Sequence, residues 1–178
     1  MKRRSNHQVV LKPQDLMVLL KLLALGDGPT TYNELAKALG MSASEVHACI
    51  GRAMAARLVN SLDERPVVVR AALKEFVLHG AKYAFPATLG SASRGVPTGY
   101  AAPPLVARIS QPGEPPPVWP DPHGNRRGIA FYPLYPTAPL AARNDPVLYE
   151  LLTLVDALRG GTARARQLAG QLLSERLA

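Results

Sequence analysis

The stretch Thr31-Tyr32-Asn33-Glu34-Leu35-Ala36-Lys37-Ala38-Leu39-Gly40-Met41-Ser42 decides the fold of the first part of the chain. Its apolar residues recur at helical spacing, and Thr30 or Thr31 is suited to cap the helix start. The residues on the shared face are Tyr32, Leu35, Ala36 and Leu39. Gly40 ends this helix, and Ser42 with Glu45 forms a capping box for the next one. The stretch therefore predicts two helices joined by a glycine turn.

The flanking residues extend this unit in both directions. Pro13 to Leu25 carries apolar residues at helical spacing and is followed by a turn rich in glycine. The helix that Ser42 caps should run from about Ala43 to Ala56, with Val46, Ile50, Ala53 and Met54 on its inner face. Extended runs at 58–62 and 67–70, separated by Asp63, Glu64, Arg65 and Pro66, predict a hairpin. A helix at 71–79 closes a first domain at 1–79.

The remaining sequence divides into two further segments. Residues 80–143 hold most of the 17 prolines and most of the aromatic residues, which predicts an irregular segment packed on a folded surface. Residues 144–178 predict a helical pair, because Asn144 or Asp145 can cap a helix that begins at Pro146, and Gly160 and Gly161 break it. The expected class is mainly α with a small β-hairpin, an α+β arrangement.

The pattern of helix, glycine turn, helix and charged hairpin resembles a winged helix-turn-helix domain. Ala36, Gly40 and Ser42 occupy the places that a small residue, the turn and the start of the recognition helix take in bacterial regulators of the MarR, IclR and Lrp kinds. The step from this helix into the hairpin at Arg57-Leu58-Val59 is also similar to that family. The resemblance covers about the first seventy residues, and the rest of the chain resembles no family of known activity.

The resemblance implies a transcriptional regulator that binds double-stranded DNA. Its third helix would enter the major groove and turn outward Ser44, Glu45, His47, Ala48, Gly51 and Arg52. Arg52 is the main candidate for a base or phosphate contact. Ser42 and Ser44 are candidates to hold phosphate at the helix start, and Arg65 to reach the adjacent minor groove from the hairpin. Lys2, Arg3 and Arg4 would add a basic arm.

Charge and cysteine usage agree with such a protein. Lys and Arg outnumber Asp and Glu by 21 to 13, a net charge of +8 that favours a polyanionic partner. The excess lies in residues 1–143, while 144–178 is balanced. The single cysteine, Cys49, excludes an internal disulfide framework and is typical of a reducing compartment, so we expect a cytoplasmic protein. No stretch approaches the length of a membrane span.

Catalytic and metal-binding patterns are weak. His47 and Cys49 are two residues apart on a helix, so they do not share a face, and no second ligand pair is near them. No glycine motif that cradles phosphate is present. Cys49 is a candidate redox sensor only if its pKa is lowered, and a structural thiol is the alternative. We therefore expect no enzyme activity, no cofactor and no metal.

Two functional classes remain open. In the first, the protein is a dimeric repressor, with the helical pair at 144–178 or the aromatic segment as its two-fold interface. In the second, it is an interaction module such as an antitoxin or adaptor, in which residues 80–143 bind a partner protein. RNA binding through the aromatic residues is a weaker third class, because no sheet that would present them is predicted.

Overall fold

Helices and two small sheets alternate along the chain. The structure, a computed structural model, describes residues 8–26, 28–63, 65–110 and 113–178. The helices are α1 Pro13–Leu25, α2 Tyr32–Leu39, α3 Ala43–Ala55, α4 Arg70–Glu75, α5 Ala81–Ala84, α6 Ala138–Arg143, α7 Pro146–Gly160 and α8 Ala163–Arg176. The strands are β1 Val59–Leu62, β2 Arg65–Val68, β3 Leu89–Pro97, β4 Pro117–Pro120 and β5 Arg126–Phe131. The protein is therefore α+β, as expected.

The first three helices lie where the sequence predicts them, and a hairpin follows α3 as expected. α1, α2 and α3 pack on one another, and β1 and β2 form an antiparallel ribbon in which Val59 faces Val68 and Leu62 faces Arg65. The inner face of α3 differs from the expected one at two positions, Cys49 and Met54. Val46, Cys49, Ile50 and Ala53 are buried, whereas Met54 is 42 % exposed.

The boundaries of the hairpin and of the helix after it are corrected. β2 begins at Arg65, so Arg65 and Pro66 belong to a strand and not to the tip. A proline is tolerated there because a two-stranded ribbon has only edge strands. The following helix does not end at His79. It continues through a π-helical turn, Phe76–Gly80, into α5, because Leu73, Val77, Ala81 and Phe85 extend one buried face to the end of α5.

The expectation that 80–143 is irregular is wrong. β3 pairs antiparallel with both β4 and β5, and β4 pairs parallel with β5, so the three strands close on themselves. The prolines permit this because they stand at strand ends: Pro97 ends β3, and Pro117 and Pro120 bound β4. At these positions a missing amide proton costs few ladder hydrogen bonds. The expected packing against a folded surface is present, since Trp119 and Phe131 are buried.

Glycines allow the three strands to approach one another closely. A Cβ atom at Gly95 would overlap the carbonyl oxygen of Trp119, and one at Gly128 would overlap that of Pro116. Gly124 likewise lies against the backbone of Gly95. These three positions therefore require glycine for space and not for an unusual backbone angle.

The C-terminal helices follow the sequence prediction, and α7 is the centre of the fold. Asp145 caps α7 through the Leu148 amide (2.9 Å), and Thr162 caps α8. Every residue from Leu151 to Leu158 is buried. The buried side chains of all three sequence segments form one cluster that runs from Leu16 to Leu177. The apolar face of α7 is thus covered within the chain and is not free to form a two-fold interface.

A buried carboxylate fastens the three-stranded sheet to α7. Asp156 is 2 % exposed and accepts hydrogen bonds from Thr98 Oγ1 (2.8 Å), Trp119 Nε1 (2.6 Å) and Arg159 (2.7 Å). Arg159 also donates to the Phe85 carbonyl (2.7 Å), at the end of α5. Burial raises the pKa of Asp156, and Arg159 with the two neutral donors opposes that rise.

Among the described residues, no helix combines the length and the apolar character that crossing a bilayer requires.

We expect Gly95→Ala to destabilise the protein and Gly51→Ala to stabilise it. The Gly95 methyl group would force two backbones apart, at about 3 kcal/mol of overpacking. At Gly51, inside α3, an added Cβ meets no atom within 4 Å, so the better helix former should gain about 0.5–1 kcal/mol. Urea unfolding followed by far-UV circular dichroism measures both. Equal effects of the two substitutions would contradict the close approach of the strands.

Asp156 and Glu150, two carboxylates on α7, allow a buried and a surface ion pair to be compared for their contribution to stability. Asp156→Ala removes the acceptor for three donors and leaves the buried Arg159 guanidinium without its carboxylate partner, which should cost about 3–5 kcal/mol. Glu150 pairs with Arg176 at the surface, with both side chains about a third exposed. Glu150→Ala should therefore cost less than about 1 kcal/mol. The same unfolding experiment measures the free energy of unfolding of both variants. A similar decrease in the two would show that Asp156 contributes no more to stability than a surface ion pair.

Candidate nucleic-acid interface

The turn between α2 and α3 is built from local caps. Thr31 accepts from the Glu34 amide (3.2 Å), and the Glu34 carboxylate accepts from the Thr31 amide (2.7 Å). Gly40 ends α2 in the left-handed region, at φ 64° and ψ 35°, where its amide donates to the carbonyls of Ala36 and Lys37. Ser42 Oγ then accepts from the Glu45 amide (3.1 Å) and starts α3. The chain therefore reverses sharply at Gly40 and presents the start of α3 to solvent.

The exposed face of α3 is narrow and uncharged. Ser44, His47, Ala48 and Gly51 recur at helical spacing and are all exposed. His47 packs edge-to-face against Tyr32 of α2, with ring centroids 5.3 Å apart. Because the other three side chains are small, a partner can approach the α3 backbone closely along this face.

Hydroxyl groups cluster at the start of α3. Ser42 and Ser44 are both exposed, and their hydroxyl oxygens are 3.1 Å apart. Backbone amides at a helix N-terminus carry partial positive charge that favours phosphate. Glu45, in the same turn, does not close the predicted capping box with its side chain. Its carboxylate instead accepts a hydrogen bond from Tyr135 (2.9 Å), which raises the pKa of that tyrosine.

The outward orientation predicted for Arg52 is corrected. Its guanidinium donates two hydrogen bonds to Asp15 of α1, from Nε (2.8 Å) and Nη2 (2.6 Å). Asp15 is 1 % exposed, so its charge needs this partner, and the Arg52 side chain lies along the protein instead of pointing into solvent. The pair joins α1 to α3. Arg52 therefore positions α3, and its guanidinium is occupied by Asp15.

Three other exposed basic residues belong to the helices and the ribbon of the first domain. Lys37 lies in the last turn of α2, Arg57 follows α3 with φ 60°, and Arg65 begins β2 beside the tip of the ribbon. All three are exposed, and none forms an ion pair with a carboxylate in the described part of the chain. Arg65 is among the DNA contacts predicted from the sequence, whereas Lys37 and Arg57 are not, although helical spacing already places Lys37 off the apolar face of α2. Lys2, Arg3 and Arg4 lie outside the described residues.

The proline-rich segment, residues 80–143, supports this turn, a contact that the sequence does not predict. Thr137 Oγ1 donates to the Leu39 carbonyl (2.6 Å), one of the acceptors that the end of α2 leaves unpaired. A Cβ atom on Gly40 would lie 3.2 Å from Thr137 Cγ2. With the hydrogen bond from Tyr135 to Glu45, two contacts hold the segment before α6 against the turn and the first residues of α3.

Cys49 lies on the inner side of α3, beside the Asp15–Arg52 pair. It is fully buried, and Arg52 Nη2 lies 3.4 Å from its sulfur. Burial, together with Asp15, raises the pKa of the thiol to about 12. A redox sensor needs an accessible thiolate. The structure places Cys49 as a packed core residue. Within the described residues, no three His, Cys, Asp or Glu side chains are arranged to hold a metal ion.

We expect the Cys49 thiol to be unreactive in the folded protein. At pH 8 a pKa of about 12 leaves roughly a thousandfold less thiolate than a free cysteine has. Labelling with iodoacetamide should therefore be at least a hundredfold slower in buffer than in 8 M urea, a concentration chosen to unfold the chain. Because the folded pKa is raised, the native rate should stay low up to pH 10. Rapid labelling of the native protein would restore the redox-sensor interpretation.

Comparison with known proteins identifies no relative. No family model matches the chain, and no curated protein and no solved structure matches it either. The functional interpretation therefore depends on the geometry of the residues themselves.

Proposed function

We propose that the chain is a transcriptional regulator that binds double-stranded DNA through α3, with the β1–β2 ribbon as the wing of a winged helix-turn-helix. The observation that carries the proposal is the exposed face of α3, which bears no acidic side chain, together with three exposed basic residues, in α2, after α3 and in β2, that form no ion pair in the described part of the chain. Lys37, Arg57 and Arg65 would contact phosphates on both sides of the helix. Neutral charge on the face itself avoids repulsion between α3 and the DNA backbone.

The small residues on α3 define how the bases would be read. A helix fits the major groove, and Ser44, Ala48 and Gly51 would let its backbone approach the base edges closely. Ser44 and His47 supply polar groups for base contacts, and Ala48 supplies a methyl group for contact with thymine. Arg52 acts indirectly, because its pairing with Asp15 sets the orientation of α3. Ser42 and the helix N-terminus would hold one phosphate.

The interaction-module alternative receives less support. It required residues 80–143 to present aromatic side chains to a partner protein, but Trp119, Phe131 and Phe85 are packed inside the chain. Tyr83 and Tyr132 are the exposed aromatic residues of the described part of this segment. The burial of Trp119 and Phe131 also weighs against an RNA-stacking platform on the three-stranded sheet. The homodimer expected from the sequence stays a prediction, and its interface would have to lie outside the apolar face of α7.

The proposal is tested by placing a carboxylate on the exposed face of α3. Ala48→Glu adds a negative charge where DNA would lie without touching the core, and we expect it to weaken duplex binding roughly tenfold or more. Ala163→Glu is the matched control, since residue 163 is exposed at the first position of α8. A pool of randomised 30-base-pair duplexes, selected by binding and then sequenced, supplies the ligand.

The expected result is enrichment of particular sequences by the wild-type protein and by Ala163→Glu, with loss of enrichment in Ala48→Glu. Thermal unfolding of each variant checks that the fold is retained. If Ala48→Glu selects the same sequences with the same affinity as Ala163→Glu, α3 does not read DNA. If no sequence is enriched by any of the three proteins, the chain is not a sequence-specific regulator.

A further inference from the structure

Four arginines gather at one end of the three-stranded sheet. Arg94 on β3 and Arg127 on β5 are directly opposite each other and share one face of the sheet. Arg126 is opposite Gly95 at the next position and points to the other face. Arg143, the last residue of α6, lies beside them because it pairs with Asp121, whose amide donates to the Arg94 carbonyl (3.1 Å). We refer to Arg94, Arg126, Arg127 and Arg143 as the arginine cluster. All four side chains are exposed.

The charge of the arginine cluster is largely uncompensated. Among the described residues, Asp121 is the one carboxylate paired with it, through Arg143. Arg94 donates to the Gly124 carbonyl (3.4 Å), and the guanidinium groups of Arg126 and Arg127 have no hydrogen-bond or ion-pair partner in the described part of the chain. Four positive charges and one negative charge leave +3 at this end of the sheet.

This arrangement is unfavourable for the sheet alone. Like charges directly opposite each other on antiparallel strands destabilise the pair, and Arg94 faces Arg127 in this way. An anion lying across the two strands would replace that repulsion with attraction. The neighbouring loop adds further polar groups, because His123 and Asn125 are both exposed. Guanidinium groups bind phosphate with paired hydrogen bonds, so a phosphate-bearing ligand fits this surface.

The arginine cluster is joined to the proposed DNA-binding helix by α6. Thr137, just before α6, contacts the turn at Gly40, and Arg143 ends α6 at the cluster. Six helical residues span about 9 Å. The major groove is about 12 Å wide, so the sugar–phosphate strand that borders it would lie at a comparable distance from α3.

We propose that the arginine cluster is a second phosphate-binding surface, which holds the sugar–phosphate strand bordering the groove that α3 enters. This inference rests on the proposed DNA binding by α3 and extends that site to residues outside the first domain. The cluster contacts phosphates and not bases, so it contributes affinity and orientation without sequence preference. Each phosphate contact releases counterions from the duplex and therefore adds to the salt dependence of binding.

The test compares two double variants of equal charge change. Arg94→Gln with Arg127→Gln removes the two cluster guanidinium groups that are directly opposite each other on one face of the sheet. Arg164→Gln with Arg166→Gln removes two exposed arginines of α8 and serves as the control. Binding to a 30-base-pair duplex of an enriched sequence, and to a random duplex, is measured between 50 and 300 mM salt. A single-stranded RNA of the same length is measured in parallel.

A plot of log K against log salt has a negative slope of about 0.9 per phosphate contact. The cluster variant loses two such contacts, so its slope should be less steep by about 1.8 on both duplexes. Affinity at 100 mM salt should fall roughly tenfold to a hundredfold, while the control stays within about twofold of the wild type. The sequences enriched by the cluster variant should be those of the wild type.

The outcomes separate this inference from the function on which it rests. If the wild type selects particular duplexes and Ala48→Glu abolishes that selection, but the cluster variant behaves like the control, the arginine cluster is not a DNA contact and binding by α3 stands. If the cluster variant loses RNA binding and keeps duplex binding, the cluster binds RNA and not DNA, and the inference is overturned. If no duplex is preferred by the wild type, both proposals fail together.

Discussion

The rest of the structure depends on the buried carboxylate of Asp156. Its oxygens accept hydrogen bonds from Thr98, Trp119 and Arg159, which belong to different parts of the fold. A charge removed from water is tolerated only when it is fully paired, so these donors must all be in place together. Arg159 also links this network to the end of α5, because it donates a hydrogen bond to the Phe85 carbonyl. One buried carboxyl group thus fixes the three-stranded sheet, α7 and the helix after the ribbon relative to one another.

The proline-rich segment connects the three-stranded sheet to the proposed DNA-binding helix, α3. The residues after β5 lead to Tyr135 and Thr137, which bind the start of α3 and the end of α2. On the opposite side, Lys21 of α1 pairs with Asp145 at the start of α7 (2.7 Å), and Asp15 of the same helix holds Arg52. α3 is therefore supported from the first domain and from the segments that follow it. A rigid support of this kind suits a helix that must present a fixed face to a partner.

The elements of the first domain were predictable because their signals are local. Thr31 with Glu34, the glycine at position 40 and Ser42 act within a few residues of their own position, and the structure places caps at each of them. The exposed residues Ser44 and His47 also followed from helical spacing. Arg52 did not, because its partner Asp15 is 37 residues away and helical spacing carries no information about it. Lys37 and Arg57 were overlooked although both are exposed.

The sequence by itself determined where α1, α2, α3, α7 and α8 lie, which of their faces are apolar, and the excess of positive charge. Capping, helical periodicity and glycine turns act over a few residues, so a single stretch contains all the information they need. Only the tertiary structure decided that the proline-rich segment forms a closed sheet, that Arg52 turns inward, and that four arginines meet at one end of that sheet. Strand pairing and buried ion pairs join residues tens of positions apart, such as Thr98 and Asp156, and their partners are chosen by packing and desolvation across the whole chain.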